Sequence, residues 1–483
     1  MRSPFITVTA IASLAAWSSA LHLEKRDSPA VVQASIQRKD LTVPPHVRDR
    51  QRNTLRKRQS NSLTVPLDNE LTLYFANVSI GTPAQDLRLH IDTGSSDLWV
   101  NTPESQICTS RGGAYCRATG TYSSNDSSTY AFVNGDFNIS YVDGSGASGD
   151  YASDTLRIGS ASLSEFQFGI GYRSTSQEGI LGIGYAINEV QVNRAGGDQY
   201  PNLPLALVNQ GTISTPAYSL WLNDLDANTG TILFGGVDTD KYDGTLSTLP
   251  IVQESGVYAE FIIALTALGS NGNSGSVISN TAIPVLLDSG SSLTYLPNNI
   301  VSALYQSISA QYDSSQGAAY VDCSLADQSG SLDFTFSGVT ISVPYNELVI
   351  LGGYNNGQAY CVFGVSPAGD STSVLGDTFL RSAYVVYDLE NNELSLAQTV
   401  FNATTSNVQE ISSSVPNAEV VTSAVTAVSG IQTGSVFFGG DSNGGFGNPS
   451  TAGSGPMVTP APVRVYGAAA AAAAGMGAAL FAL

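Results

Sequence analysis

Histidine and cysteine are scarce in this sequence, and their scarcity limits the metal and catalytic sites that the protein can form. Of 483 residues, three are histidine and four are cysteine. His22 and His46 lie in the basic N-terminal stretch, which leaves His90 alone in the rest of the chain. No two cysteines have the CxxC spacing typical of a zinc site. We therefore expect no metal and no cofactor, and we expect His90 to have a packing or surface role.

Positive charge is also scarce over most of the chain. Residues 1–58 hold 11 of the 20 Lys and Arg residues and 4 of the 40 Asp and Glu residues, which leaves 9 basic and 36 acidic residues in 59–483, a net charge of −27. So acidic a body argues against nucleic acid or anionic lipid as a partner. It fits a protein that works at low pH, where part of this charge is neutralised.

Two short motifs recur along the chain. Asp92-Thr93-Gly94-Ser95 and Asp288-Ser289-Gly290-Ser291 lie 196 residues apart, each after an apolar run. Ile180-Leu181-Gly182 begins 88 residues after the first aspartate, and Val374-Leu375-Gly376 begins 86 residues after the second. The nearly equal spacing indicates an internal repeat of one half-domain, in which each copy contributes one carboxylate.

Two carboxyl groups at hydrogen-bonding distance can activate water for hydrolysis. They cannot both ionise, so one keeps its proton and donates it while the other accepts a proton from water. We predict that Asp92 and Asp288 form this pair. The glycines permit tight turns, and the hydroxyls can hydrogen-bond the carboxylates; the predicted supporting residues are Thr93, Gly94, Ser95, Ser289, Gly290 and Ser291.

Composition and patterning predict an all-β fold. Glycine is abundant and charged residues make up 12% of the chain, which favours sheets and turns over helices. Residues 86–92 alternate as a half-buried strand does, and Pro284–Leu287 is a continuous apolar run typical of a strand buried on both faces. Short helices are expected near Leu203–Asn209 and Asn299–Ser309.

From about Leu63 to Val400 the chain resembles the pepsin-like aspartic endopeptidases. The resemblance rests on both aspartate motifs, the first extended to Val100, on both glycine triplets, and on Tyr141 in the segment 139–145. It implies a bilobed all-β fold with a central cleft, an N-terminal lobe over 59–245 and a C-terminal lobe over 246–402. It also implies that Ser95 and Ser291 support the two carboxylates.

The same resemblance implies a β-hairpin flap over the cleft. Tyr141 would lie on this flap and reach the indole N–H of Trp99, with Gly144 in the turn. Asp143 has two interpretations. It could face the pocket for the substrate side chain before the scissile bond and favour Lys or Arg there, or it could simply form the Asp-Gly turn.

The regions outside the lobes resemble those of the fungal yapsin subgroup. Residues 1–20 read as a signal peptide, 21–58 as a basic propeptide cut after Arg58, 403–455 as a Ser/Thr/Gly-rich stalk, and 456–483 as the tail of a GPI-attachment signal that is removed. Gly453 is the predicted anchor site. These features predict a monomer on the extracellular face of the plasma membrane or in the cell wall.

One departure from the subgroup concerns the segment between the first motif and the flap. Yapsins often carry a long acidic insertion there, whereas residues 105–120 are short and include Arg111 and Arg117. This difference favours broader cleavage over a narrow processing specificity.

A secreted chain with four cysteines is expected to form structural disulfides. Four cysteines allow three pairings, and we favour the one that keeps each bridge inside one half, Cys108–Cys116 and Cys323–Cys361. Four Asn-x-Ser/Thr sequons are predicted glycosylation sites, at Asn77, Asn125, Asn138 and Asn402.

Three functions remain open from the sequence. The first is a secreted, surface-anchored aspartic endopeptidase that hydrolyses peptides and proteins at acidic pH. The second is a catalytically silent relative that binds peptides or wall components in its cleft; intact Asp92, Asp288 and Tyr141 argue against it. The third is a structural or adhesion protein defined by its stalk, which is short for that purpose.

Overall fold

The structure of the chain is a computed structural model. It describes residues 30–38, 73–110, 113–141, 145–176, 178–227, 229–254, 256–278, 281–355, 357–369 and 371–428. The predicted signal peptide, most of the predicted propeptide, the end of the predicted stalk and the predicted tail lie outside these residues.

Strands dominate the first half of the chain, as the glycine-rich, Thr/Tyr/Val-rich composition predicts. They are β1 (Val32–Arg38), β2 (Tyr74–Ile80), β3 (Gln85–Asp92), β4 (Leu98–Asn101), β5 (Ala131–Ser140), β6 (Gly146–Ile158), β7 (Ala161–Ser174), β8 (Ile180–Gly182), β9 (Ala217–Trp221), β10 (Thr229–Phe234), β11 (Gly236–Asp238) and β12 (Tyr242–Pro250).

Shorter strands make up most of the second half. They are β13 (Ile262–Leu265), β14 (Ala267–Ser270), β15 (Asn273–Ile278), β16 (Ile283–Leu287), β17 (Thr294–Leu296), β18 (Gln311–Asp313), β19 (Ala318–Val321), β20 (Ser331–Phe336), β21 (Val339–Pro344), β22 (Val349–Asn355), β23 (Gln358–Phe363), β24 (Val365–Pro367), β25 (Ser373–Leu375), β26 (Ala383–Asp388), β27 (Glu393–Thr399), β28 (Val408–Glu410) and β29 (Glu419–Val420).

A large sheet joins the two halves. Its strand order is β29-β12-β27-β26-β9-β10-β1-β2-β3-β8-β4-β7-β6-β5. The second half adds the sheets β13-β16-β25-β17-β24, β15-β14-β20-β21 and β18-β19-β23-β22. The fold is therefore the expected bilobed, all-β arrangement. The predicted lobe boundary at 245/246 falls inside β12, which pairs with β27 across six register positions.

The internal repeat of the sequence is visible in the strand pairing. β3 runs parallel to β8 and places Asp92 opposite Gly182. In the same way β16 runs parallel to β25 and places Leu287, the residue before Asp288, opposite Leu375. Each aspartate motif thus follows a strand that is paired with a glycine triplet. Pro284–Leu287 is buried, as predicted for a strand covered on both faces.

Helices are short and lie between the strands. They are α1 (Gln106–Thr109), α2 (Gly113–Thr119), α3 (Val190–Ala195), α4 (Leu203–Asn209), α5 (Asn298–Ser307), α6 (Tyr345–Leu348) and α7 (Asp377–Leu380). Two of them, α4 and α5, match the predicted helices. Within the part of the chain that the structure describes, no helix is both long and apolar enough to cross a membrane.

Part of the predicted propeptide lies in the large sheet. Strand β1 pairs with β10 and with β2, antiparallel to both. Its apolar residues Val32, Ala34 and Ile36 alternate with exposed polar ones and are buried. Strand β1 was not predicted from the sequence, because this alternation spans only three apolar positions of residues 21–58.

The first part of the predicted stalk packs against the body. We call residues 403–428 the C-terminal strap. Its strands β28 and β29 pair with β11 and β12. Ile411 is fully buried, and the Lys241 ammonium donates hydrogen bonds to the carbonyls of Ala403 and Thr405 at 2.8 and 2.9 Å. The prediction that the stalk begins at 403 is therefore wrong for the strap, which belongs to the folded body.

Both disulfides keep within one half of the repeat. Cys108 is bonded to Cys116, and Cys323 is bonded to Cys361. The asparagines of the four sequons, Asn77, Asn125, Asn138 and Asn402, are all exposed. His90 is fully buried, and its ring lies 5.6 Å from that of Phe75, so it has a packing role.

Candidate active site

The first aspartate lies where β3 ends and the chain turns. Asp92 is fully buried, and its two carboxylate oxygens have separate donors. Oδ1 accepts a 2.8 Å hydrogen bond from the backbone N–H of Gly94, and Oδ2 accepts a short one from the hydroxyl of Ser95. Donors of this kind favour the ionised carboxylate and fix its orientation.

The second aspartate repeats this arrangement after β16. The backbone N–H of Gly290 donates to Oδ1 of Asp288 at 2.8 Å, and the Ser291 hydroxyl donates to Oδ2 at 2.6 Å. Asp288 is also fully buried. The repeated sequence motif therefore produces two matched carboxylate loops, one from each lobe.

Thr93 and Ser289 join the two loops across the lobes. The Thr93 hydroxyl accepts from the backbone N–H of Ser289 at 3.0 Å and donates to the carbonyl of Leu287 at 3.0 Å. The Ser289 hydroxyl accepts from the backbone N–H of Thr93 at 3.2 Å and donates to the carbonyl of Ile91 at 3.0 Å. These four reciprocal bonds hold the loops, and hence the carboxylates, in register.

The two carboxyl groups are in direct contact. A hydrogen bond links the side chains of Asp92 and Asp288. A Cβ on Gly94 would come within 2.6 Å of Oδ1 of Asp288, so only glycine fits at this position. The close approach means that one of the two groups must carry a proton.

Burial raises the pKa of both aspartates, and to different extents. For Asp92 the effect of burial is partly offset by the hydrogen bonds from Ser95 and Gly94. For Asp288 burial is the largest cause, and the negative charge of Asp92 raises its pKa further. Asp288 therefore holds the proton and Asp92 is the carboxylate, which gives the pair one acid and one base.

The glycine triplets pack closely against the backbone of the two aspartate loops. Gly182 lies against the first loop, where a Cβ would come within 2.6 Å of the backbone nitrogen of Asp97. Gly376 lies against the second loop, where a Cβ would come within 2.3 Å of the carbonyl oxygen of Ser291. The equal spacing of the triplets in the sequence therefore reflects backbone contacts that leave no room for a side chain.

A hairpin of β5 and β6, which we call the flap hairpin, carries Tyr141 at its end. The backbone N–H of Tyr141 donates to the carbonyl of Ser145 at 2.8 Å. The indole N–H of Trp99 donates to the Tyr141 hydroxyl at 2.6 Å. The structure thus brings together Tyr141 and Trp99. Asp143 and Gly144 lie outside the described residues, as does Gly453.

A buried polar cluster beside the flap hairpin was not predicted from the sequence. Asp97, Tyr151, Glu189 and Tyr200 meet there, although they are up to 103 residues apart in the chain. The one available signal was a charged residue, Asp97, directly before the apolar run Leu98-Trp99-Val100. No metal-binding group of three or more His, Cys, Asp or Glu side chains occurs among the residues described.

Two matched aspartate loops that share one proton at the junction of two β lobes define an aspartic endopeptidase. Comparison with known proteins agrees: the chain belongs to the eukaryotic aspartyl protease family, whose model matches residues 73–399. The probable aspartic-type endopeptidase opsB of Aspergillus oryzae (strain ATCC 42149 / RIB 40) is 54% identical over 421 residues, which cover 85% of each chain.

More distant relatives share the fold and the class. Aspartic proteinase yapsin-3 of Saccharomyces cerevisiae (strain ATCC 204508 / S288c) is 37% identical over 378 residues, which cover 75% of this chain and 73% of the relative. The crystal structure of the aspartic proteinase from Irpex lacteus superimposes with a TM-score of 0.58 at 26% identity and covers 70% of this chain and 97% of that one.

Proposed function

We propose that this aspartic endopeptidase is secreted, is held at the extracellular face of the plasma membrane or in the cell wall by a GPI anchor, and hydrolyses peptide bonds at acidic pH with a preference for basic residues at the cleavage site. The contact between the Asp92 and Asp288 carboxyl groups carries the chemical part of this proposal. The terminal segments of the sequence carry the part that concerns location.

The proposed reaction uses the two carboxyl groups in opposite roles. Asp92 accepts a proton from a water molecule, and the resulting hydroxide attacks the peptide carbonyl carbon. Asp288 donates its proton to the carbonyl oxygen, which gives a neutral tetrahedral diol. Asp92 then returns the proton to the leaving nitrogen as the carbon–nitrogen bond breaks, and Asp288 recovers its own proton from the diol. The pair ends in its starting protonation state.

The protonated member of the pair sets the upper limit of the working pH. The reaction needs one carboxyl group protonated, and this state is lost as the pH rises through the pKa of the proton-holding member. The net charge of −27 over residues 59–483 supports an acidic working pH, because acid conditions relieve its self-repulsion.

The activity is tested with wild-type protein cleaved after Arg58. We expect it to hydrolyse peptides at about pH 3–6, with inhibition by pepstatin. Asp92→Asn removes the base and should abolish hydrolysis, whereas the exposed substitution Glu419→Gln should leave it intact. Hydrolysis that persists in Asp92→Asn would refute the two-aspartate mechanism.

The substrate preference is tested with a peptide library. The excess of acidic residues in the body supports cleavage beside Lys or Arg. If Asp143 contributes, Asp143→Thr should reduce cleavage after Lys more than cleavage after Leu. An unchanged ratio would exclude a specificity role for Asp143 and leave it as a turn residue.

The anchor is tested by the fate of the expressed protein. Residues 467–483 form an uncharged, Ala-rich end, and a short spacer separates this end from the small residues Gly453-Ser454-Gly455, which supports a GPI signal with Gly453 as the attachment site. We expect the full chain at the membrane or wall and release by a phosphatidylinositol-specific phospholipase. A chain ending at residue 452 should appear in the medium. Equal distribution of both chains would refute the anchor.

A further inference from the structure

Asp97 lies five residues after Asp92 in the first carboxylate loop and is fully buried. Its Oδ1 accepts hydrogen bonds from the hydroxyls of Tyr151 at 2.5 Å and Tyr200 at 2.9 Å. Its Oδ2 accepts one from the backbone N–H of Val190 at 2.9 Å. One carboxylate therefore fastens three parts of the lobe: β6, the start of α3 and the segment between α3 and α4.

A row of aromatic rings leads from this carboxylate to the flap tyrosine. The Tyr200 ring packs against Tyr151 with centroids 5.7 Å apart, and Tyr151 packs against Phe137 at 5.3 Å. Phe137 lies 6.3 Å from Trp99, whose indole N–H holds the Tyr141 hydroxyl. All five side chains belong to one buried cluster. Because a packed cluster is not compressible, displacement at one end is transmitted to the other.

The strand positions make this cluster a link between the flap and the dyad. Phe137 is on β5 and Tyr151 is on β6, so each strand of the flap hairpin contributes one ring. A Cβ on Gly169 would come within 2.5 Å of the Phe137 ring, which fixes the place of that ring on the sheet. Asp97 itself belongs to the loop that carries Asp92, and its carbonyl accepts from the backbone N–H of Gly182 at 3.1 Å.

Glu189 holds the far end of the row. Its Oε2 accepts a hydrogen bond from the backbone N–H of Tyr200 at 2.9 Å, so Tyr200 is fixed at both its backbone and its hydroxyl. Burial, with a smaller contribution from the charge of nearby Asp97, raises the pKa of Glu189 to about 10, so Glu189 is neutral under acidic conditions.

We propose that Asp97, Tyr151 and Tyr200 form a clamp that sets the position of Tyr141 relative to the catalytic aspartates, which makes Asp97 a positioning residue for peptide hydrolysis. The clamp joins the Asp92 loop to β6 of the flap hairpin through one buried carboxylate, and the Phe137 ring extends this link to β5. Removing the tyrosine hydroxyls releases the flap hairpin from that carboxylate while the dyad and its own donors stay intact.

The test compares tyrosine-to-phenylalanine variants of the mature enzyme. In Tyr151→Phe/Tyr200→Phe we expect KM and the pepstatin Kd to rise about tenfold or more, the size expected for loss of two buried hydrogen bonds. The matched control is Tyr122→Phe, which removes a 2.6 Å hydrogen bond from a buried tyrosine to the Asp154 carboxylate elsewhere in the lobe. This control should keep wild-type KM and pepstatin Kd.

A second comparison separates positioning from general stability. Asp97→Asn retains an oxygen that can accept both tyrosine hydroxyls and should recover most of the pepstatin affinity that Asp97→Ala loses. The clamp is refuted if the double variant binds pepstatin as tightly as Tyr122→Phe. If the double variant does not fold, Tyr200→Phe, which keeps one hydroxyl donor, decides the question. Inactivity of both wild type and Tyr122→Phe would instead count against the proposed activity, and pepstatin affinity would still judge the clamp.

Discussion

Single hydroxyl groups set the ionisation of the dyad. The Ser95 hydroxyl donates to Oδ2 of Asp92 and lowers the pKa of that carboxyl group, against the effect of burial. Ser291 does the same for Asp288. Because the hydroxyl stabilises the charged form, its removal should make the base harder to ionise.

We therefore expect Ser95→Ala to move the acid limb of the pH profile of kcat/KM upward by about one pH unit, and to lower kcat at low pH. The acid limb moves upward because Asp92 must be ionised to accept a proton from water, and its pKa is higher without the hydroxyl. The measurement is kcat/KM between about pH 2 and pH 7. Ser302→Ala, which alters an exposed serine on α5, is the control. An unmoved acid limb would show that Ser95 has no such role.

At the scale of elements, the C-terminal strap extends the folded body beyond the family match, which ends at 399. Its Ile411 is fully buried in a cluster with Trp221 and Tyr384. Its Glu410 accepts hydrogen bonds from the backbone N–H of Ala30, at 3.1 Å, and from the Ser214 hydroxyl, at 2.6 Å. The strap thus covers the large sheet and touches the segment that leads into β1.

We expect Ile411→Ala to lower the free energy of unfolding by about 2–4 kcal/mol, because it removes a buried side chain and leaves a cavity. Val420→Ala in the same strap should change it by less than about 0.5 kcal/mol, because Val420 is 64% exposed. Urea unfolding at acidic pH measures both. Equal effects of the two substitutions would show that the strap contributes no packing energy.

Elements were predictable from sequence where a pattern was long or repeated. The two aspartate motifs and the two glycine triplets predicted the dyad because each motif occurs in both halves of the sequence repeat. Strand β1 was missed because its apolar alternation is short and its partners β2 and β10 are distant in the chain. Asp97 and its tyrosines were missed because contacts across 54 and 103 residues leave no local pattern.

At the scale of the whole molecule, buried carboxyl groups make stability depend on pH. Burial raises the pKa of Glu254 from 4.5 to about 7, partly opposed by a hydrogen bond with Glu260. The folded state then binds more protons than the unfolded state between these two pH values. The stabilising contribution of Glu254 is therefore complete below about pH 4.5 and is lost as the pH rises through 7.

We expect the free energy of unfolding to fall between pH 4.5 and pH 7, with Glu254 accounting for at most about 3 kcal/mol of the change. Glu254→Gln, which stays neutral, should flatten this part of the stability profile. The exposed substitution Glu419→Gln should not. Urea unfolding of the three proteins across this pH range makes the comparison. If the free energy of unfolding of Glu254→Gln falls with pH as steeply as that of the wild type, the proton uptake belongs to other groups.

Strand β1 has a consequence for the covalent make-up of the mature enzyme. It lies between β10 and β2 in the large sheet and pairs with both, so it connects the strands on either side of it. A cut after Arg58 would sever this strand from the rest of the polypeptide while its backbone ladder stays intact. Denaturing mass analysis of such a preparation should then find two molecules, a protease and a short companion peptide that had been folded into it.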